Sequence, residues 1–290
     1  MKKNILVNIN KGYVKHFLTM LNSLVTNNPT SLFHVYVMHT DLDEADEKRI
    51  QSHFKNVEFS YIYMDKKLFK GAPKVKRYPY EIYYRLFAPL KLPKEVDKVL
   101  YLDSDLIVHG NIDELYNMEF GDKLYIACTQ IRSFMQWFNR IRLTVGKSYY
   151  YINTGVVLMN IKELRNLVDM DKFFKFIKRN GWRMCLYDQD VLFKFFGNRV
   201  QLIDRYKWNV ADRHIRAYNR RNRKNKIDLD WIENNNVIVH YLGTNKPWKK
   251  DYRGILQHYY LKYVINEDQK PNESTENNNT DSQENLKEIV

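Results

Sequence analysis

Apolar and polar positions alternate in blocks along the first hundred residues. Ile5–Ile9, His34–Met38 and Val57–Tyr63 are short apolar-rich runs with the length of strands. Between them, Tyr13–Asn28 repeats apolar side chains at helical spacing, with Phe17, Leu21, Leu24 and Val25 on one face and Asn27-Asn28-Pro29 as its stop. Asp43–Phe54 reads as a charged surface helix, and Tyr80–Phe87 as a helix ended ahead of Pro89. A fourth run, Val99–Leu102, is followed by short strands at Leu106–Val108, Lys123–Cys128, Val156–Met159 and Val237–Tyr241. The alternation predicts an α/β fold with a mostly parallel sheet and helical crossovers.

The fourth run stops abruptly on Asp103-Ser104-Asp105. An uninterrupted apolar strand suits a sheet covered on both faces, and such sheets bind ligands just beyond their strand ends. Two carboxylates converging there repel one another unless a cation sits between them, so the motif predicts a divalent metal site.

Composition sets the class. The chain has 290 residues, 44% of them hydrophobic and 14% aromatic, enough for one large globular α/β unit. No apolar run approaches the roughly 20 residues of a bilayer span, and the apolar run after Met1-Lys2-Lys3-Asn4 is too short for a signal peptide, so a cytoplasmic location is expected. Cys128 and Cys185 stand apart, without metal or disulfide spacing, and both are expected to be core thiols.

Charge changes the picture at two places. The net charge is +13, yet from Ile265 to Val290 seven acids face only Lys270 and Lys287 in an Asn-, Ser- and Gln-rich stretch; an acidic disordered tail is expected over 265–290, after a single domain over 1–264. From Arg205 to Lys226 nine cations face Asp212 alone. This basic helical C-terminal extension suits contact with an anionic membrane, peripherally at its inner face, or with an acidic polymer; no nucleic acid is expected as a partner.

No G-x-G-x-x-G follows the first strand, and no P-loop motif occurs, so dinucleotide and P-loop chemistry are not signalled. An aspartyl phosphotransferase dependent on Mg²⁺, with Asp103 attacking and Asp105 as acid/base, would place its motif on the first strand, whereas three strands precede it here. A binding protein without catalysis, docking anionic polymers, is the other alternative.

Further segments add a resemblance. Tyr84-Arg85-Leu86, Asp97 through Asp105, Asn153-Thr154-Gly155-Val156, Asp188-Gln189-Asp190 and His240-Tyr241-Leu242-Gly243-Thr244-Asn245-Lys246-Pro247-Trp248 occur in the order of the signature of glycosyltransferase family 8. The chain resembles that family, which includes glycogenin and bacterial α-galactosyl- and α-glucosyltransferases, from about Ile5 to about Arg253. The resemblance implies a single Rossmann-like GT-A domain and a retaining transferase that moves glucose or galactose from UDP-glucose or UDP-galactose to a hydroxyl of a carbohydrate or glycoprotein acceptor. It implies Mn²⁺, with Mg²⁺ the alternative, held by Asp103, Asp105 and His240. It implies that Gly243 and Lys246 hold the diphosphate, and that Asn8, Asn10, Tyr13 and Ser104 complete the nucleotide site. Arg85, Asn153, Asp188 and Gln189 would surround the donor sugar and carry catalysis. The assignments suit the chemistry: an imidazole beside two carboxylates favours Mn²⁺ over Mg²⁺, and cations at the diphosphate stabilise the leaving group.

At two places the chain departs from the family. Where the family carries paired aspartates and an Asn before a Tyr, this chain has Asn10, Lys11 and Gly12 before Tyr13, which removes one side chain and reverses a charge at the uridine contact. Arg132–Tyr151 falls where the family places loops over donor and acceptor, and its sequence matches no recognisable pattern.

Overall fold

The computed structural model describes residues 2–69 and 80–265. The acidic tail predicted at the C-terminus falls, from residue 266 onward, outside the described residues. Seven strands form the central sheet: β1 Lys2–Asn8, β2 Leu32–His39, β3 Val57–Tyr63, β4 Lys98–Leu102, β6 Tyr125–Ala127, β7 Val156–Asn160 and β8 Val200–Leu202, in the order β3-β2-β1-β4-β7-β6-β8. β5 Leu106–Val108 and β9 Ile238–His240 form a second, two-stranded sheet. Only β7 runs against the rest of the central sheet, pairing antiparallel with both β4 and β6.

Both faces of the sheet are covered, which explains its continuous apolar runs. Ile5 and Val7 point into one cluster with Phe17, Leu21 and Leu24 of the helix Val14–Thr26. Leu6 points the opposite way, into a cluster with Val99, Tyr101, Phe87 and Val191. Alternate side chains of each strand thus lose solvent on opposite sides, at about 1.5–3 kcal/mol for each large apolar side chain fully buried. A third cluster joins Ile107 and Val239 of the small sheet to Ile215, Leu256 and Tyr260.

Local chemistry sets the boundaries. The charged helix is Glu44–Ser52, started by a capping box in which Asp43 and Asp46 each bind the other's main-chain N–H. The helix expected to end ahead of Pro89 instead runs Tyr84–Lys91 with Pro89 inside it. Pro89 forfeits one main-chain hydrogen bond, and it is buried together with its neighbours Leu86, Phe87 and Ala88. The basic stretch 205–226 is helical over Arg205–Trp208 and Asp212–Asn219, and between these Val210 bridges to Val239 of the small sheet. Among the described residues no helix is long and apolar enough to cross a membrane.

Cys128 is buried, as expected, but Cys185 is exposed. It lies on the turn before the helix Tyr187–Phe196, where its N–H donates to Asp190 at 2.7 Å and its side chain is left facing solvent.

Candidate active site

β4 ends at Leu102, and the turn that follows carries both aspartates into the small sheet. The Asp103 N–H donates to the Gly155 carbonyl (2.8 Å), which extends the β4–β7 pairing by one residue. β5 then begins at Leu106, whose antiparallel partner is His240. That register sets His240 beside Asp105 across 135 residues of sequence: its Nε2 lies 3.2 Å from Asp105 Oδ1 and 3.7 Å from Asp103 Oδ2.

A hydrogen-bond chain fixes which nitrogen of His240 carries the proton. Gly155 N–H donates to Asn153 Oδ1 (3.1 Å), so that atom is an acceptor; Asn209 Nδ2 also donates to it (3.0 Å). Asn209 Oδ1 is left to accept from His240 Nδ1 (2.9 Å), and the Nε2 lone pair faces the carboxylates. Three electron-rich atoms thus converge, with the ligand atoms of Asp103, Asp105 and His240 all within 4.8 Å of one another. This donor set, with an imidazole oriented by an outer partner, fits a divalent cation. Gly155 is required for the approach: a Cβ there would lie 2.2 Å from His240 Cε1 and 2.6 Å from Asp103 Oδ2.

Charge around the cluster is closely matched. Arg85 donates to the Thr154 carbonyl, lies 3.1 Å from Asp103 Oδ1 and 3.4 Å from Asp188 Oδ2, and sits 4.2 Å over the Tyr101 ring. Tyr101 O–H donates to Asp103 Oδ1 (2.7 Å), as alternate residues leaving one face of β4 can. Thr154 O–H donates to Asp188 Oδ2 (2.7 Å); burial raises the Asp188 pKa in spite of Arg85 and this hydroxyl. Burial also works against ionised Asp105, yet that carboxyl is held well below the usual range, with the Lys246 ammonium supplying the compensating positive charge. Lys246 donates to Asp105 and to the Tyr241 carbonyl.

Two adjoining cavities share this wall. The larger, about 490 Å³, is lined by Asn8, Asn10, Tyr13, Ser104 and Lys246 among others. The smaller, about 200 Å³, is lined by Asn153, Asp188, Gln189 and His240. Arg85, Asp103, Asp105 and Gly243 line both. Every residue singled out as a site candidate from the sequence therefore faces one of the two. Gly243 has φ +82°, a left-handed conformation that a side chain would strain. Lys11 turns away, into ion pairs with Asp43 (2.8 Å) and Asp46 (3.0 Å), so its charge is neutralised outside the cavity.

Sequence reasoning missed Asn209, which lies within the basic stretch and gives no motif signal. It also missed that Asp190 is structural: wholly buried, it holds Arg142 (2.9 Å), Tyr151 O–H (2.9 Å) and the Cys185 N–H.

The profile of glycosyl transferase family 8 matches residues 4–252. A lipopolysaccharide 1,3-galactosyltransferase of Salmonella typhimurium is 24% identical over 276 residues, covering 91% of this chain and 78% of that protein. A lipopolysaccharide 1,2-glucosyltransferase of Escherichia coli is 24% identical over 269 residues, with the same coverage of 91% and 78%. Among solved structures, the galactosyltransferase LgtC in complex with donor and acceptor sugar analogs superposes with a TM-score of 0.77 at 21% identity, covering 90% of this chain and 95% of that one. GlyE of Streptococcus pneumoniae gives 0.68 at 21% identity, over 91% and 61%. The central sheet and its crossovers thus form the GT-A fold, and the chain belongs to glycosyl transferase family 8: it is a glycosyltransferase.

Proposed function

We propose that the protein transfers glucose or galactose from UDP-glucose or UDP-galactose to a hydroxyl of an acceptor in a cell-surface or protein-linked glycan, with retention of configuration and dependence on Mn²⁺. The observation that carries this reading is the place of Asp103, Asp105 and His240 at the junction of the two cavities. A nucleotide-sugar has the matching shape: a base and ribose, a diphosphate in the middle, and a hexose. The larger cavity would take uridine against Tyr13, Asn8 and Asn10, with Ser104, Gly243 and Lys246 on the diphosphate. The smaller would take the hexose among Arg85, Asn153, Asp188 and Gln189. The names of the two lipopolysaccharide relatives cover both sugars.

Asp103, Asp105 and His240 would hold the ion, whose charge, when bound, neutralises the leaving diphosphate. Lys246, already drawn to Asp105, adds a second positive charge there. Asp188 is committed to Thr154 and Arg85, and we read it as orienting Arg85 and the sugar rather than attacking carbon.

The test is UDP release from each donor with Mn²⁺ present, followed by proton NMR of the new linkage. An α linkage from either donor supports the reading. Release from neither donor, or a β linkage, overturns it.

A further inference from the structure

The helix Ser133–Leu143 is built inside out. Phe134, Trp137, Phe138 and Ile141 recur at i, i+3, i+4 and i+7, one face of a helix, and are 67%, 55%, 44% and 59% exposed. Its buried residues are Gln136, Asn139 and Leu143. Hydrogen bonds fix this orientation: Gln136 Nε2 donates to Thr129 Oγ1 (2.8 Å) and to the Tyr151 carbonyl (3.0 Å), and its Oε1 accepts from Tyr151 N–H (2.8 Å). Turning the apolar face inward would break all three, so that face remains in water.

Unneutralised cations stand at both ends of this face. Near its start, Arg132 and Met135 line a cavity of about 570 Å³ together with Arg205, Arg213 and Arg221. Near its end, Lys194 donates to the Leu143 and Thr144 carbonyls and lines a second cleft with Lys175, Arg179, Arg183 and Trp182, which is 86% exposed. Among the described residues none of these eight side chains forms an ion pair with a carboxylate, although elsewhere on the surface Lys2, Lys11 and Lys207 do.

We propose that this face docks on an anionic lipid bilayer, the helix lying in the interface with Phe134, Trp137, Phe138 and Ile141 among the acyl chains and the two basic clefts on lipid phosphates. A helix of this length, about 16 Å, with aromatic and aliphatic side chains on one face and cations at its flanks, has the form of an interfacial helix. Charge selects the occupant. A second copy of the chain would bring two strongly cationic faces together, and a soluble acidic polymer would leave the apolar face wet. Neither basic cleft shares a lining residue with the two donor-site cavities, and the surface extends the basic stretch 205–226 to a helix that carries no motif.

The test is flotation of the full chain with vesicles of phosphatidylcholine alone or mixed with phosphatidylglycerol, at low and high salt, alongside size-exclusion chromatography. The native chain is expected to float with the anionic vesicles and hardly with the neutral ones, and to elute as the same species as its variants. Phe134→Ser, Trp137→Ser and Phe138→Ser together, all at exposed positions, should lower vesicle affinity roughly tenfold or more with an unchanged melting temperature. Arg132→Glu with Arg221→Glu should remove the preference for anionic lipid by a similar factor, and tests the proposal by itself should the first variant fold poorly. Native affinity in either folded variant, or equal binding to both vesicle types, overturns the proposal. So does a native dimer that the apolar substitutions convert to monomer, which would make the face a contact between copies.

Discussion

Asn209 Oδ1 accepts a hydrogen bond from His240 Nδ1 at 2.9 Å, and through it the main chain at Gly155 determines which nitrogen of His240 is free to bind a cation. Asn209 is wholly buried, so nothing in solvent can replace it. Outer partners of metal-ligating histidines contribute about 10–100-fold to metal affinity, and Asn209→Leu is expected to lower Mn²⁺ affinity within that range. Nitrogen-15 NMR of the metal-free protein reads the cause directly: the His240 ring signals should shift from the Nδ1–H form toward a mixture. Unchanged ring signals together with native Mn²⁺ affinity would remove Asn209 from the site.

Gly155, the residue before β7, packs directly against the cluster of Asp103 and His240. A methyl group there meets His240 and Asp103 at distances no real Cβ tolerates, and neither neighbour is the free end of a flexible chain. Gly155→Ala should cost about 1–3 kcal/mol in stability as an overpacked core position and should displace the ligands. Thermal unfolding and Mn²⁺ titration check both parts; a variant native in both would show that the site is looser than described.

How much of this was legible in the sequence depends on the range of the interaction. The apolar run Val99–Leu102 and the carboxylates that end it are local, and alternation alone located them. The contact of His240 with Asp105 depends on the antiparallel register of β5 with β9, which no local pattern encodes; only its place in an ordered motif pointed to it. The reversed direction of β7 is likewise silent, because Val156–Met159 is equally apolar either way. The helix Ser133–Leu143, in the stretch Arg132–Tyr151 whose sequence matches no recognisable pattern, was not legible for another reason. Its period is helical, but Gln136 pins its polar side inward, so the usual equation of apolar face with core fails.

Lys246 should matter more as the sugar–phosphate bond breaks than in the ground state. Lys246→Ala is expected to lower kcat by about 10²-fold or more, with a smaller effect on the donor KM. A variant altered in KM alone would assign Lys246 to binding only.

Arg142 and Asp190 form an ion pair in which Asp190 is wholly buried. Removing one partner leaves a buried charge, so Arg142→Met should destabilise the fold by about 3–5 kcal/mol, read from denaturant midpoints. A loss below about 1 kcal/mol, the range of exposed pairs, would show that water reaches Asp190.

The central claim is that Asp103, Asp105 and His240 hold a divalent ion on which donor binding depends. Calorimetric titration of UDP into the native chain and into Asp105→Ala, each with and without Mn²⁺, tests it most directly. Mn²⁺ is expected to tighten UDP binding to the native chain by about tenfold or more, and Asp105→Ala to lose this enhancement because two remaining ligands cannot hold the ion against water. Equal UDP affinity with and without Mn²⁺ in the native chain, or an undiminished Mn²⁺ effect in Asp105→Ala, would contradict it.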